Sequence, residues 1–288
     1  MANLASMVTQ KNENDQQWRE QRQMERENAS AMQDALVTEI TTLPDLYGLY
    51  LQMQGDNPAY SPGNVAMVIG QSNDPGKFAT AEKWRSMGRS ITPGEKDKGM
   101  NIFARSSFNR GYTLTPVYDI KQTYGRPLQE VALTDGTDKM TKALQTLLNY
   151  SVVPLSLNEN LPVPARYDEI SMKIEINPDT PDSEAFAAIA TEVALSRFHG
   201  KGSVVPNFER KDFELDAESV SYILCRRFGI KRELPDTKNV GKLYDGMDAL
   251  ERRSALNTIQ DMCKQIGGTI EKNITPPQKA RTSARGAI

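Results

Sequence analysis

One stretch constrains this 288-residue chain more than any other: PDSEAFAAIATEVALSRFHG, residues 181–200. It reads as an apolar-rich helix that carries a Glu in its interior. A carboxylate on such a helix is costly unless it is hydrogen-bonded or ion-paired. Any fold built around the segment must therefore supply Glu192 with a partner. The residue types nearby suggest Thr191, Arg197, Arg226 or Arg227 for this role.

The flanks define an α+β chain. Before the helix, YDEISMKIEINP reads as a hairpin or edge strand stopped by Pro178. After it, KDFELDAESVSYILCRRFGI reads as a helix starting at Glu214 or Asp216, with Gly229 just past its end. Ser183 is the expected cap of the helix that carries Glu192. TDKMTKALQTLLNY is amphipathic, with Met140, Leu144, Leu147 and Leu148 on one face. A last helix is expected from Asp245 to Gln265. Upstream, helical spacing runs through Leu36, Ile40 and Leu43, and a second helix starts at Leu46. TAEKWRSM forms a helix capped by Thr80, and RSI, MNIFAR and YTLTPVYDI form strands between Gly- and Asn-containing turns.

Four segments follow: a polar helical or disordered arm (1–33), an α+β domain with an antiparallel sheet (34–130), a mainly helical domain with a small sheet (131–272), and a basic disordered tail (273–288).

The charge is unevenly spread. Net charge is −2, yet Lys77 to Arg126 holds ten Lys/Arg against four Asp/Glu, a local +6, so the rest of the chain carries −8. That asymmetry points to a polyanionic partner. Aromatic residues fall among these cations. Single-stranded nucleic-acid binders use both: cations follow the phosphates and rings stack on bases. The candidate binding residues are Trp84, Arg85, Arg89, Lys96, Lys98, Arg105, Arg110 and Tyr112. Phe103 and Tyr118 read as core. No helix-turn-helix is visible, so binding is expected to be salt-sensitive and sequence-tolerant.

Other chemistry is poorly supplied. The sequence lacks GxxxxGK[ST], G-x-G-x-x-G and G-x-S-x-G. It has one histidine, His199, and two cysteines, Cys225 and Cys263. These support neither a catalytic triad nor a disulfide framework. No run approaches the ~18 apolar residues of a membrane span, and no signal-peptide pattern opens the chain. The expectation is a cytoplasmic protein without membrane contact, metal or small-molecule cofactor.

Taken as a set, YSPGNVAMVIGQ, TAEKWRSMGRSITPGEKDKGMNIFA and VYDIKQTYG, followed by KIEINP, FAAIATEVA and ELDAESVSYILCRRFGI, resemble ArdC-type antirestriction proteins and the LtrC-like proteins of mobile elements. The resemblance spans roughly residues 34 to 230. It implies an N-terminal single-stranded-DNA-binding domain and a zincin-like metallopeptidase domain. The family's metal motif is H-E-x-x-H, with both His on one helix face, the Glu as general base and an acidic third ligand on the next helix. Here the matching positions are Thr191, Glu192 and Leu195, with Glu218 at the third-ligand position. Leu cannot ligate a metal and a neutral Thr hydroxyl ligates zinc poorly, so the resemblance implies a degenerate, non-catalytic zincin-like domain.

The resulting expectation is a non-catalytic single-stranded-DNA-binding protein of a mobile element or phage, serving antirestriction or strand protection. The alternative is a pseudo-peptidase whose zincin-like domain binds a protein partner, with the strand MKIEI pairing to an extended peptide.

Overall fold

A computed structural model of the chain describes residues 3–105, 111–200 and 208–275. The chain is α+β and divides into two compact units, Met1–Glu130 with Glu233–Gln260, and Val131–Arg232 with Asp261–Ile288. Residues 233–260, expected in the second domain, thus belong to the first unit. Sequence spacing could not reveal this, because the segment packs against elements about 200 residues earlier.

The first unit opens with α1 (Leu4–Ile40), which is exposed over most of its length and buries Ala29, Gln33, Val37 and Ile40 near its end. Its exposed part is helical because side chains four apart bond each other: Lys11 with Asp15 at 2.6 Å, Gln16 with Glu20 and Gln23 with Glu27, both at 2.9 Å. Next come α2 (Pro44–Asp56) and α3 (Pro62–Gln71), each with proline in its first turn. Then β1 (Phe78–Thr80), α4 (Ala81–Ser86), β2 (Arg89–Ile91), β3 (Met100–Arg105), β4 (Tyr112–Asp119) and β5 (Thr123–Gly125) follow.

Two antiparallel sheets result, β1-β4-β3 and β2-β5. Thr80 caps α4 by accepting from the Lys83 N–H. The later segment of this unit supplies α8 (Val240–Leu243) and the start of α9 (Ala249–Ile274). It buries Tyr244, Leu256 and Ile259. Arg252 bonds Thr41 at 2.8 Å, and Gln260 bonds the Pro58 carbonyl at 2.8 Å.

β3 is the outer strand of its sheet, and its edge is closed by two amides from α3. Gln71 both donates to the Asn101 carbonyl and accepts its N–H, at 2.9 Å each. Asn64 does the same at Phe103, at 2.8 and 3.0 Å. Two side chains thus supply the ladder that a neighbouring strand would otherwise provide.

The second unit contains α5 (Asp138–Tyr150), β6 (Leu155–Leu157), β7 (Ala165–Asp168), β8 (Lys173–Ile176), α6 (Asp182–Gly200) and α7 (Arg210–Arg227), with the end of α9. Thr137 caps α5. The sheet order is β6-β8-β7, with β6 parallel and β7 antiparallel to β8. MKIEI is therefore the central strand and not an edge; β7 and β6 are the edges. The pairing that decides this joins β6 to β8 across an intervening hairpin arm, which local pattern does not encode.

α6 is buried on nearly all sides, by β7, β8, α5 and α7, which is why its apolar residues are not confined to one face. Its first carbonyl acceptor is Pro181, and Ser183 bonds Asp135 instead of capping it. α7 starts at Arg210, earlier than expected, and Gly229 follows it at φ 66°, as a C′ glycine does.

Candidate functional site

Register places the candidate residues of the first unit. Across β3 and β4, Asn101 faces Pro116, Phe103 faces Leu114 and Arg105 faces Tyr112. Because side chains alternate across a strand, these three pairs share one face. The opposite face holds Met100, Ile102 and Val117, all buried. On the outward face Tyr112 is 58 % exposed. Arg105, Asn101 and Pro116 are also exposed, and Phe103 and Leu114 are half-buried. Phe103, expected in the core, is thus part of this face, because the core-facing positions of β3 are the even ones. Tyr118 is buried as expected.

The turn before β3 carries exposed Lys96 and Lys98. It is pinned by three bonds: the Tyr118 hydroxyl donates to the Lys96 carbonyl at 2.8 Å, and Gln122 donates to the Lys98 carbonyl and to Glu95, both at 3.1 Å. Lys98 also pairs with Glu95 at 2.9 Å. The bonds from Lys98 and Gln122 hold the Glu95 carboxyl below its ordinary range.

Two of the eight candidates are structural. Trp84 is 1 % exposed, and its indole N–H donates to the Tyr118 carbonyl at 2.8 Å. It forms a core cluster with Ala79 and Tyr118 and offers no face to a base. Arg89 is half-buried, and its guanidinium is committed to Thr123 Oγ1 at 2.8 Å, the Thr123 carbonyl at 3.0 Å and the Arg126 carbonyl at 2.6 Å. Arg85 is exposed on α4. Arg110 lies outside the described residues. The residues brought together are Arg105 and Tyr112 at one end of the sheet face, and Lys96 and Lys98 in the turn that leads into β3.

The second unit contains a cleft of about 780 Å³ lined by Tyr167, Thr191, Glu192, Arg210, Glu218 and Arg232, among others. Glu192, 4 % exposed, accepts the Tyr167 backbone N–H on Oε2 at 2.8 Å. Arg210 binds the same carboxylate in bidentate fashion, Nη1 to Oε2 at 3.0 Å and Nη2 to Oε1 at 2.7 Å. Those bonds raise the already high Arg210 pKa further.

Arg232 donates to Ser221 Oγ at 2.6 Å and the Ala187 carbonyl at 3.1 Å, and lies 3.8 Å from Glu218. Glu192 is thus partnered by Arg210. The expected partners serve elsewhere: Arg197 bonds the Tyr150 carbonyl and Arg227 pairs with Glu271. Arg210 was missed because nothing in its local pattern marks it; only the pairing of α7 with α6 brings it to Glu192. His199 is buried, its Nδ1 2.8 Å from the Tyr167 hydroxyl, with its ring stacked on Phe208.

These residues do not fit a divalent metal. Leu195 is fully buried and carries no donor atom. Both oxygens of Glu192 already face N–H donors, and the Arg166, Arg210 and Arg232 guanidinium groups line the space. Among the described residues no group of three His, Cys, Asp or Glu is arranged to hold a metal ion. Burial pushes the Cys225 thiol up to about 11 and Cys263 higher still. No helix among the described residues is long and apolar enough to cross a membrane.

No protein-family model matches the sequence, and no curated protein matches it. Solved structures do match. The Mn(II)-bound crystal structure of the antirestriction protein ArdC from plasmid R388 superposes with a TM-score of 0.51 at 16% identity, covering 87% of this chain and 99% of that one. The metal-free crystal structure of the same protein gives 0.47 at 15% identity, covering 85% and 97%. The chain has the mixed α+β fold of the plasmid R388 antirestriction protein ArdC.

Proposed function

We propose that this protein is a non-catalytic, sequence-tolerant single-stranded-DNA-binding protein of a mobile element, acting in antirestriction or strand protection. The observation that carries the reading is the outward face of β3 and β4. It sets the exposed ring of Tyr112 beside Arg105, with half-buried Phe103 and Leu114 next to them. Rings can stack on bases while cations neutralise phosphates. The fold shared with ArdC supports the antirestriction context. The Glu192–Arg210 pair supports the non-catalytic part, because a general base must be free to take a proton and this carboxylate is held by a guanidinium.

Titration of labelled single-stranded and duplex oligonucleotides at two salt concentrations tests it. Tyr112→Ala should weaken single-strand binding roughly 5- to 150-fold, the equivalent of ~1–3 kcal/mol for one stacked base. The triple change Lys96→Ala/Lys98→Ala/Arg105→Ala should flatten the salt slope by about 2. Unaltered affinity and slope in both would reject this face as the binding site. Plasmid entry into a restricting host, with and without the protein, tests the antirestriction part.

A second reading, a protein-interaction module, draws on β7. The Asn177 N–H bonds the Pro164 carbonyl. By antiparallel alternation the backbone polar groups of Ala165 and the Tyr167 carbonyl then turn away from β8, while the Tyr167 N–H is held by Glu192. An extended peptide could pair there. Slowed amide exchange at Ala165 on adding a candidate partner would favour it; unchanged exchange there would not.

A further inference from the structure

We propose that Arg210 is the resident cation of the second unit, performing the cross-linking that a bound divalent ion would otherwise perform and making that unit independent of metal. This goes beyond the DNA-binding reading and does not rest on it.

The geometry is specific. Glu192 projects from the middle of a buried helix and is shielded from water. Its two oxygens receive three donors, one from the β7 backbone and two from the α7 guanidinium. One carboxylate thereby ties α6 to both β7 and α7. A metal ion bound between helices does the same job through lone pairs. Here the lone pairs are already directed at N–H groups, in the fork geometry that a guanidinium and a carboxylate share.

The surroundings agree. Glu218, the second carboxylate, faces the Arg232 guanidinium, whose other donors hold Ser221 and the Ala187 carbonyl. The rest of the lining adds Arg166 and Lys231 against Glu169 and Glu184, so the charges of the cleft balance. The Glu192 oxygens that a divalent cation would need are already taken by N–H donors, and the Arg210 and Arg232 charges oppose its approach to them. Arg210 reaches beyond Glu192 to Glu214 at 3.2 Å, which anchors its own position on α7.

The test is thermal unfolding of the full chain, together with its metal content. Neither EDTA nor millimolar Mn²⁺ should shift Tm, and plasma mass spectrometry of the purified protein should find far less than one transition-metal ion per chain. Arg210→Met should lower Tm by roughly 6–12 °C, since it strands the buried Glu192 carboxylate, and Glu192→Gln should lower it by less, since half-buried Arg210 keeps Glu214. The double variant should lose no more than the worse single one, because the two act as a pair. Should Arg210→Met fail to fold, Arg210→Lys, which keeps the charge without the fork, should fold with a smaller loss. A Tm lowered by EDTA or raised by Mn²⁺, one bound metal per chain, or additive losses in the double variant would each overturn the proposal.

Discussion

At the scale of single residues, environment decides which cations and rings are available to a ligand. Trp84 and Tyr112 are both aromatic residues in the basic stretch, but the first is buried and hydrogen-bonded while the second is open. Trp84→Phe should therefore lower stability by about 1–3 kcal/mol, by leaving the Tyr118 carbonyl without its donor, and should leave single-strand affinity unchanged. Denaturation and titration of the same sample separate the two effects.

Thiol chemistry follows burial in the same way. Cys225 and Cys263 are buried and their thiols are pushed up, so neither should react with a thiol reagent at pH 8 until the chain is unfolded. Asp168 gives a pH dependence. Backbone and side-chain bonds from Ser171, and the Ile170 N–H, hold its carboxyl below the ordinary range. A depressed folded value means the contribution is present above the unfolded pKa, about 3.9, and is lost as pH falls through the folded one. Asp168→Asn should thus lower Tm at pH 6, and the difference should close as pH drops toward 2.

At the scale of elements, the antiparallel pair of β2 and β5 depends on Gly125. Its φ is 134°, and a Cβ there would lie 2.5 Å from the Gly88 carbonyl oxygen. Gly125→Ala should cost about 2 kcal/mol or more, read as a fall in denaturation midpoint. Elements with local punctuation were legible in the sequence: Thr80 as a helix cap, Gly229 as a helix stop, and the three strands from Arg89 onward. Elements whose identity depends on distant partners were not. The central position of β8 follows from a parallel pair with β6, and Arg210 meets Glu192 only because α7 lies along α6. The site was legible in part for the same reason. The positions Thr191, Glu192 and Leu195 were singled out through the family resemblance, whereas the guanidinium that meets Glu192 could not be. Strand alternation, applied to β3, would have moved Phe103 from the core to the outward face.

At the scale of the whole molecule, the first unit is discontinuous in sequence. Tyr244, Leu256, Ile259 and Gln260 complete its interior beside residues 37–60. A fragment ending at residue 130 would expose apolar side chains of α2 to water. It should show no cooperative thermal transition by circular dichroism, so DNA binding has to be measured on the intact chain. The chain also carries net charge −2 around a local +6, so single-strand affinity should fall with salt while the protein as a whole behaves as an acidic one.

The two α3 amides on β3 bear on what sort of polymer this sheet can accept. Asn101 and Phe103 have no unpaired backbone group left for another polypeptide to grasp. Growth of the sheet sideways, whether by a foreign peptide or by a second copy stacking into a fibril, is blocked at that border while the broad side stays open. A guest on that side meets the Tyr112 ring and the Arg105 side chain and not a row of open backbone groups.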